Sequence, residues 1–158
     1  ASTGIGASEA PNALLEVAGA EQASRLTRLK RRGQELERSE QWQQAVTAYE
    51  QAQTIDGDVL FATQGLDRSL NRARLDKQFR AAIAQPDRLS DEAVAKATAV
   101  LLKTAKHITP RGPVLAQQIR SLEALLQQAN DQKTARVVLV GDVQQLDAVS
   151  AGTPFDLL

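Results

Sequence analysis

The sequence has no cysteine and no methionine, and aromatic residues make up only 3% of its 158 positions. Without cysteine the chain has neither disulfides nor thiolate metal sites, and its redox compartment stays open. Its one Trp, one Tyr and three Phe leave most of the core to aliphatic side chains. A core in which Ala and Leu fill the space between closely packed elements favours helices over sheets.

Neither sign of charge is in excess, because 19 Lys and Arg residues balance 19 Asp and Glu residues. A general nucleic-acid binder needs surplus cations to neutralise phosphates, so this balance argues against one while leaving local patches open. The sequence also has no apolar run close to the roughly 20 residues that span a bilayer. We therefore predict a chain without a membrane span, of the length of one ordinary domain.

The first part of the chain combines a weakly patterned start with a long helical pattern. Residues 1–10 are small and are predicted to form a flexible leader, after which Pro11 suits the first position of a helix. Apolar residues spaced by three and four predict helix over 14–38. Because glycine weakens a helix, Gly19 favours a separate short helix at 14–23.

Two further helices are predicted before the middle of the chain. Ser39 is the expected N-cap of a second helix, which ends near Thr54 because Gly57 follows. A third helix is predicted over 59–84. Pro86 ends it, since proline disfavours helical geometry in the residue before it.

The next two helices are predicted to form an antiparallel hairpin. Ser90 is the expected cap of the fourth helix, and residues 109–112 make a short turn. Pro113 opens the fifth helix, which the apolar spacing carries to about residue 129. Two amphipathic helices joined by so short a connection pack side by side in opposite directions.

The pattern changes after residue 130. Residues 135–140 are continuously apolar and rich in valine, which predicts a buried strand that stops at Gly141. A single strand leaves its backbone groups unpaired, so it needs a partner. A second copy of the chain, a further β-domain and a neighbouring strand near 146–150 are all open as that partner.

Residues 26–59 carry small and aromatic residues at a spacing that lets two helices pack closely. Counted from Leu26, they resemble one helical hairpin of the tetratricopeptide repeat, whose period is about 34 residues. Two departures are Gly57, where the family usually has proline, and the following stretch, which has no Gly at the matching position. The hairpin positions that carry the resemblance are Leu29, Gly33, Leu36, Trp42, Ala45, Tyr49 and Ala52.

This resemblance implies a mainly α fold, a TPR-like array of about five helices in antiparallel hairpins, with a short C-terminal β element. The expected division is a leader at 1–10, a helical domain at 11–129, and a β/turn tail at 130–158 that belongs to or leads into a further domain. The helical region is also similar to regions that precede a small β-domain in bacterial envelope-associated proteins. That similarity implies a periplasmic or envelope location, with a cytoplasmic one left open.

The tail resembles a different family. Gly141-Asp142, two further residues and Gln145-Leu146 are similar to the Gly-Asp-x-x-Gln-Leu segment of superfamily 1 helicases. The resemblance implies that Gln145 senses the terminal phosphate of a nucleotide. The chain has no Gly-Lys-Ser/Thr loop to cradle phosphates and no upstream acidic pair for Mg²⁺. An ordinary strand and turn is therefore the competing interpretation.

No residue pattern points to catalysis or to a cofactor. His107 is the single histidine, and at the end of the fourth helix it is expected to complement the helix dipole. Without cysteine, a metal site there would need carboxylates alone. The carboxylates are scattered through mixed-charge helices, which is typical of a solvated surface. We predict a protein that is not an enzyme and needs no metal or cofactor.

Basic residues on the first and third helices are the candidate binding groups. In a repeat array the first helix of each pair lines the concave face, where cations and amides hold a carboxylate or an acidic peptide. Ordinary solubilising pairs with nearby carboxylates are the alternative. The predicted partner-binding residues are Thr27, Lys30, Gln34, Arg38, Gln64, Arg68, Asn71 and Arg72.

Three functions follow from these observations. The leading prediction is a non-catalytic protein–protein interaction or scaffolding module, with self-association through the tail strand also open. The first alternative is a fragment of a helicase- or relaxase-type DNA-processing ATPase that lacks its phosphate loop. The second is a module that contacts anionic lipid or RNA through the basic helix, at Arg25, Arg28, Lys30, Arg31 and Arg32.

Overall fold

The computed structural model describes the backbone of residues 6–152 and the side chains of residues 10–141. Within this range the chain is mainly α-helical, which confirms that prediction and fits a helical-repeat fold. It forms two compact units, an N-terminal unit (1–77) and a C-terminal unit (78–158). The elements are α1 (Gly6–Arg38), α2 (Trp42–Ile55), α3 (Leu60–Ala84), a 3-10 turn (Pro86–Ser90), α4 (Glu92–Lys106) and α5 (Pro113–Gly152).

Helix α1 is one continuous helix of 33 residues. The separate short helix expected before residue 24 is wrong, because Gly19 lies inside α1 with no atom within 4 Å of the place where a side chain would start. A glycine in an exposed helix costs about 1 kcal/mol without ending the helix. Residues 6–10 of the predicted leader belong to α1, and residues 1–5 lie outside the described residues.

The junction between α1 and α2 is closed by a left-handed residue. Glu40 has a φ of 57°. The Gln41 N–H donates to the Leu36 carbonyl at 2.8 Å, and the Glu40 N–H donates to the Glu37 carbonyl at 3.1 Å. This pair of hydrogen bonds forms a Schellman motif, which satisfies the last carbonyls of α1. The prediction that Ser39 caps α2 is wrong, since the Ser39 hydroxyl donates to the Leu36 carbonyl.

Helix α2 ends because the next residue leaves helical geometry. Asp56 is extended, with a φ of −150° and a ψ of 110°. Its carboxylate accepts a hydrogen bond from the Asp58 N–H at 3.0 Å, which fixes the turn locally. Gly57 has no positive φ, so the turn does not depend on glycine at that position.

Helix α4 has a side-chain cap one residue later than expected. The Asp91 carboxylate accepts from the N–H groups of Ala93, at 2.9 Å, and Val94, at 3.2 Å. The Ser90 hydroxyl instead donates to the Asp87 carbonyl in the 3-10 turn. The prediction of Ser90 as the cap is therefore wrong by one position.

The core of the C-terminal unit is mostly aliphatic and lies largely between α4, α5 and the 3-10 turn, with Phe79 of α3 also fully buried. Ion pairs of Lys106 with Glu123 and of Glu92 with Lys133 show that α4 and α5 run antiparallel. The two helices bury leucines and alanines against each other, which stabilises the hairpin by removing apolar surface from water. The buried aliphatic residues of this unit are Leu89, Leu102, Ala105, Leu115, Ile119 and Leu122.

The last part of α5 differs from the expectation of a strand. Residues 135–140 are helical, and all four apolar side chains from Val137 to Val140 are more than half exposed. A lone strand would leave its backbone groups unpaired, whereas a helix satisfies them internally. Beyond residue 152 the predicted tail lies outside the described residues. Across the described helices, no segment has both the length and the apolar character needed to cross a membrane.

Candidate partner-binding face

The N-terminal unit is built around the ring of Tyr49, which is 1% exposed. Gly33 of α1 and Gly65 of α3 both lie against this ring. A Cβ added at Gly33 would lie 2.5 Å from the Tyr49 Cζ atom, and one added at Gly65 would lie 2.6 Å from Cε2. Both distances are below any real carbon contact, so only glycine lets α1 and α3 approach the ring this closely.

Helices α1 and α3 lie beside each other in parallel. The Lys30 ammonium lies 5.6 Å from the centre of the Phe61 ring, in cation–π contact. Further along, the Arg68 guanidinium lies 3.2 Å from the Glu37 carboxylate. In both contacts the partners are 31 residues apart, and the residue numbers rise together along the two helices, as they do in parallel helices. Gly33 of α1 and Gly65 of α3 follow the same parallel alignment of the two helices.

Glu37 links α1 to α3 next to the Tyr49 ring. One of its carboxylate oxygens accepts from Arg68 Nη2 at 3.2 Å and from the Ser69 hydroxyl at 3.3 Å. The Tyr49 hydroxyl is buried and has no hydrogen-bond partner among the described residues. Burial, together with the nearby negative charge of Glu37, raises the pKa of Tyr49 to about 12.

A second ionic contact lies one turn further along the two helices. Arg72 Nη2 is 3.8 Å from the Glu40 carboxylate, and both side chains are largely buried. The guanidinium also stacks on the Trp42 ring, 4.5 Å from its centre. Burial lowers the pKa of Arg72, opposed by the negative charges of Glu40 and Asp76. Glu40, the left-handed residue at the end of α1, thus pairs with Arg72 of α3.

The eight predicted partner-binding residues lie on α1 and α3. Seven of the eight are exposed, and the side chain of the eighth, Arg72, is largely buried in the contact with Glu40. Thr27 lies nearer the start of α1, where its hydroxyl donates to the Ala23 carbonyl. We define the α1/α3 face as the exposed positions on the adjoining helices, which are Lys30, Gln34, Arg38, Gln64, Arg68 and Asn71.

Sequence reasoning missed some of the residues that hold this face together. Gly65 was overlooked because it follows Gly33 by less than the family period of about 34 residues. Glu37 was expected among the carboxylates that pair with the basic residues of this face, whereas Glu40 was not, because a carboxylate at the end of a charged helix resembles a surface group. The signal that could have found Gly65 is a second glycine one turn from Phe61 inside a strong helical pattern.

Helix α1 also carries four further exposed arginines. Arg25, Arg28, Arg31 and Arg32 are exposed, and none forms an ion pair with another described residue. The alternative in which they contact anionic lipid or RNA stays a prediction. His107 lies at the C-terminal end of α4. Among residues with described side chains, no group of three or more His, Asp and Glu residues is arranged to hold a metal ion.

Comparison with known proteins gives one finding, at the C-terminal end of the chain. A family model described as an AAA domain matches residues 116–158, which is roughly the last quarter of the chain. The matched segment starts inside α5 and includes Gly141, Asp142 and Gln145. No curated protein and no solved structure matches the chain. The match makes this segment similar to part of an AAA domain and leaves the N-terminal unit without a matched family.

Proposed function

We propose that the N-terminal unit is a non-catalytic module that binds an acidic peptide of a partner protein on the α1/α3 face. The observation that supports this proposal is that α1 and α3 lie in parallel, with Lys30 against the Phe61 ring and Arg68 paired with Glu37. In the resembled family, neighbouring first helices of the hairpins form the binding surface. That this unit is a tetratricopeptide-like repeat is part of the same proposal.

The groups on the face suit carboxylates and peptide bonds. Arg38 has no ion-pair partner among the described residues, and Lys30 is exposed beside Phe61. Arg68 is 55% exposed and uses one terminal nitrogen on Glu37. An arginine has five N–H donors in a planar fork, so the others can serve a second carboxylate. The amides of Gln34, Gln64 and Asn71 suit peptide carbonyls and N–H groups.

The experiment compares a labelled acidic peptide with matched basic and neutral peptides by fluorescence anisotropy. Replacing Lys30 and Arg68 together by Gln is expected to weaken acidic-peptide binding by about tenfold, because two charge-assisted contacts are lost. Arg74→Gln is the matched control, since Arg74 is also exposed on α3 and lies outside the face. Helical circular dichroism checks that each variant is folded.

Two outcomes contradict this proposal. One is acidic-peptide binding that Arg74→Gln weakens as much as the double variant, which indicates attraction to overall charge. The other is equal binding of the acidic and basic peptides. Higher salt should weaken specific binding without abolishing it, since only exposed charges are screened.

The second candidate is part of a nucleotide-dependent, DNA-processing ATPase, and the AAA-domain match at 116–158 favours it. An ATPase needs a phosphate loop and a Mg²⁺ site, and the 158 residues contain no Gly-Lys-Ser/Thr motif. The chain would therefore contribute a nucleotide sensor to a site completed by other segments. Calorimetry with Mg²⁺ and ATP tests this candidate. Binding that is lost in Gln145→Ala would favour it over the scaffold proposal.

A further inference from the structure

The C-terminal unit has a groove of about 470 Å³ lined by the 3-10 turn, α4 and α5, at the end of the hairpin far from the connecting turn. This volume is within the range of small-molecule sites in proteins. The apolar part of the groove lining, called the wall below, is contributed by the 3-10 turn and both helices. Its residues are Leu89, Ala95, Ala99, Leu126 and Ala129.

The rim of the groove is positively charged. Lys96, Lys133 and Arg136 lie on it with a single carboxylate, Glu92. One oxygen of Glu92 lies 3.3 Å from the Lys96 ammonium and 3.8 Å from that of Lys133, so one anion is shared by two cations. Arg136 forms no ion pair with any other described side chain. Three cations against one anion leave the rim with a net positive charge.

From this arrangement we propose that the groove binds a small apolar carboxylate, such as a medium-chain fatty acid. The alkyl chain lies on the leucines and alanines, where burial removes apolar surface from water. The carboxylate lies at the rim, paired with Arg136 and Lys133. These two cations are three residues apart on α5, so they project from the same side of the helix.

The combination of an apolar wall and an unbalanced cationic rim selects this ligand class. A neutral alkyl compound leaves the rim charges without a counter-ion, and a small hydrophilic anion leaves the apolar wall in contact with water. The inference goes beyond the proposed function, because every residue of the groove belongs to the C-terminal unit. If no peptide binds at the α1/α3 face, the proposed binding of a carboxylate in the groove is unaffected.

The test uses the full chain and three defined compounds in calorimetry: octanoate, octanol and acetate. Octanoate is expected to bind saturably, and at least about tenfold more tightly than octanol or acetate, because it alone satisfies both wall and rim. Equal binding of octanol would show an apolar site without anion recognition. No saturable octanoate binding, or equal binding of acetate, would also overturn the proposal.

Three variants test whether the ligand binds in this groove. Arg136→Gln is expected to weaken octanoate binding about three- to tenfold, because it removes the unpaired cation. Lys103→Gln is the matched control on α4 outside the groove and should leave the affinity unchanged. Ala99→Phe fills the apolar side from an exposed position and should weaken binding by at least as much as Arg136→Gln. An equal loss in Lys103→Gln, or an unaltered affinity in Ala99→Phe, contradicts the assignment.

Discussion

The two units of the chain pack their helices by different means. In the N-terminal unit, one aromatic ring packs against two glycines, and ion pairs at Glu37 and Glu40 connect α1 to α3. In the C-terminal unit, leucines, isoleucine and alanines pack between α4 and α5, and the ion pairs lie at the surface. One core depends on close approach at particular positions, and the other depends on apolar volume.

This difference determines which changes each unit tolerates. A ring packed against two glycines has no room for an added methyl group, so the N-terminal unit should be sensitive to small-to-large changes. An aliphatic core loses stability chiefly when volume is removed and a cavity is left. The predictions below test this contrast in order of decreasing effect.

The largest effect is expected for Leu122→Ala in α5. Leu122 is fully buried, so truncation leaves a cavity and lowers the free energy of unfolding by about 3 kcal/mol. Leu139→Ala on the same helix is the control, because Leu139 is 65% exposed and its loss should change stability by less than about 0.5 kcal/mol. Hydrogen exchange of the α4 and α5 amides measures both. Equal losses of stability in the two variants would mean that Leu122 is not part of the core.

The next effect tests close approach in the N-terminal unit. Gly65→Ala and Gly33→Ala are each expected to destabilise it by about 2 kcal/mol, because the new methyl group meets the Tyr49 ring. Gly19→Ala is the matched control on α1, where the space is open. There the better helix propensity of alanine should stabilise the helix by about 1 kcal/mol. Urea denaturation followed by the fluorescence of Trp42, the single tryptophan, reports on this unit.

The contrast fails if all three glycine variants are stabilising. In that case the Tyr49 ring would have room to move, and the close contact of α1 and α3 would not depend on glycine. Opposite signs for Gly19 and Gly65 would establish that packing, rather than helix propensity, decides the requirement for glycine at position 65.

A smaller effect is expected at the start of α4. Asp91→Ala removes the acceptor for two backbone N–H groups and should destabilise the C-terminal unit by about 1 kcal/mol. Asp91→Asn keeps an acceptor oxygen and should recover most of that loss. Hydrogen exchange of the first turn of α4 is the measurement. A failure of Asn to rescue the cap would indicate that the negative charge matters more than the hydrogen bonds.

The smallest effect is expected for Tyr49→Phe. It removes a buried hydroxyl without a partner and should stabilise the protein by about 0.5 kcal/mol. The folded pKa of about 12 is above the ordinary value of 10.0, so the folded state holds the phenolic proton more tightly than the unfolded state. The stability that comes from this tighter proton binding is fully present below pH 10. It is lost as the pH rises through 12.

The measurement is the difference in stability between the wild type and Tyr49→Phe at several pH values, since other groups titrate equally in both. The wild type should lose stability relative to the variant above pH 10. Because Tyr49 is the single tyrosine, its ultraviolet absorbance follows the same ionisation directly. A midpoint near 10 in the folded protein would contradict burial of this hydroxyl beside Glu37.

Helix positions could be predicted from the sequence because apolar spacing is a local signal. The third helix was expected over 59–84 and is observed as Leu60–Ala84. The ends were harder, since serine suits both ends of a helix and Ser39 lies at the C-terminal end of α1. At 135–140 the valine-rich composition indicated a strand, but backbone pairing also requires a neighbour, which the described residues do not provide.

The sequence by itself determined a mainly helical chain with an aliphatic core, without thiols and without a surplus of either charge. It also placed most of the candidate binding residues on exposed helix positions. Only the tertiary structure decided that Glu37 and Glu40 hold Arg68 and Arg72, and that Gly65 faces the same ring as Gly33. These partners are about thirty residues apart, and their meeting depends on the register between α1 and α3, which no local pattern specifies.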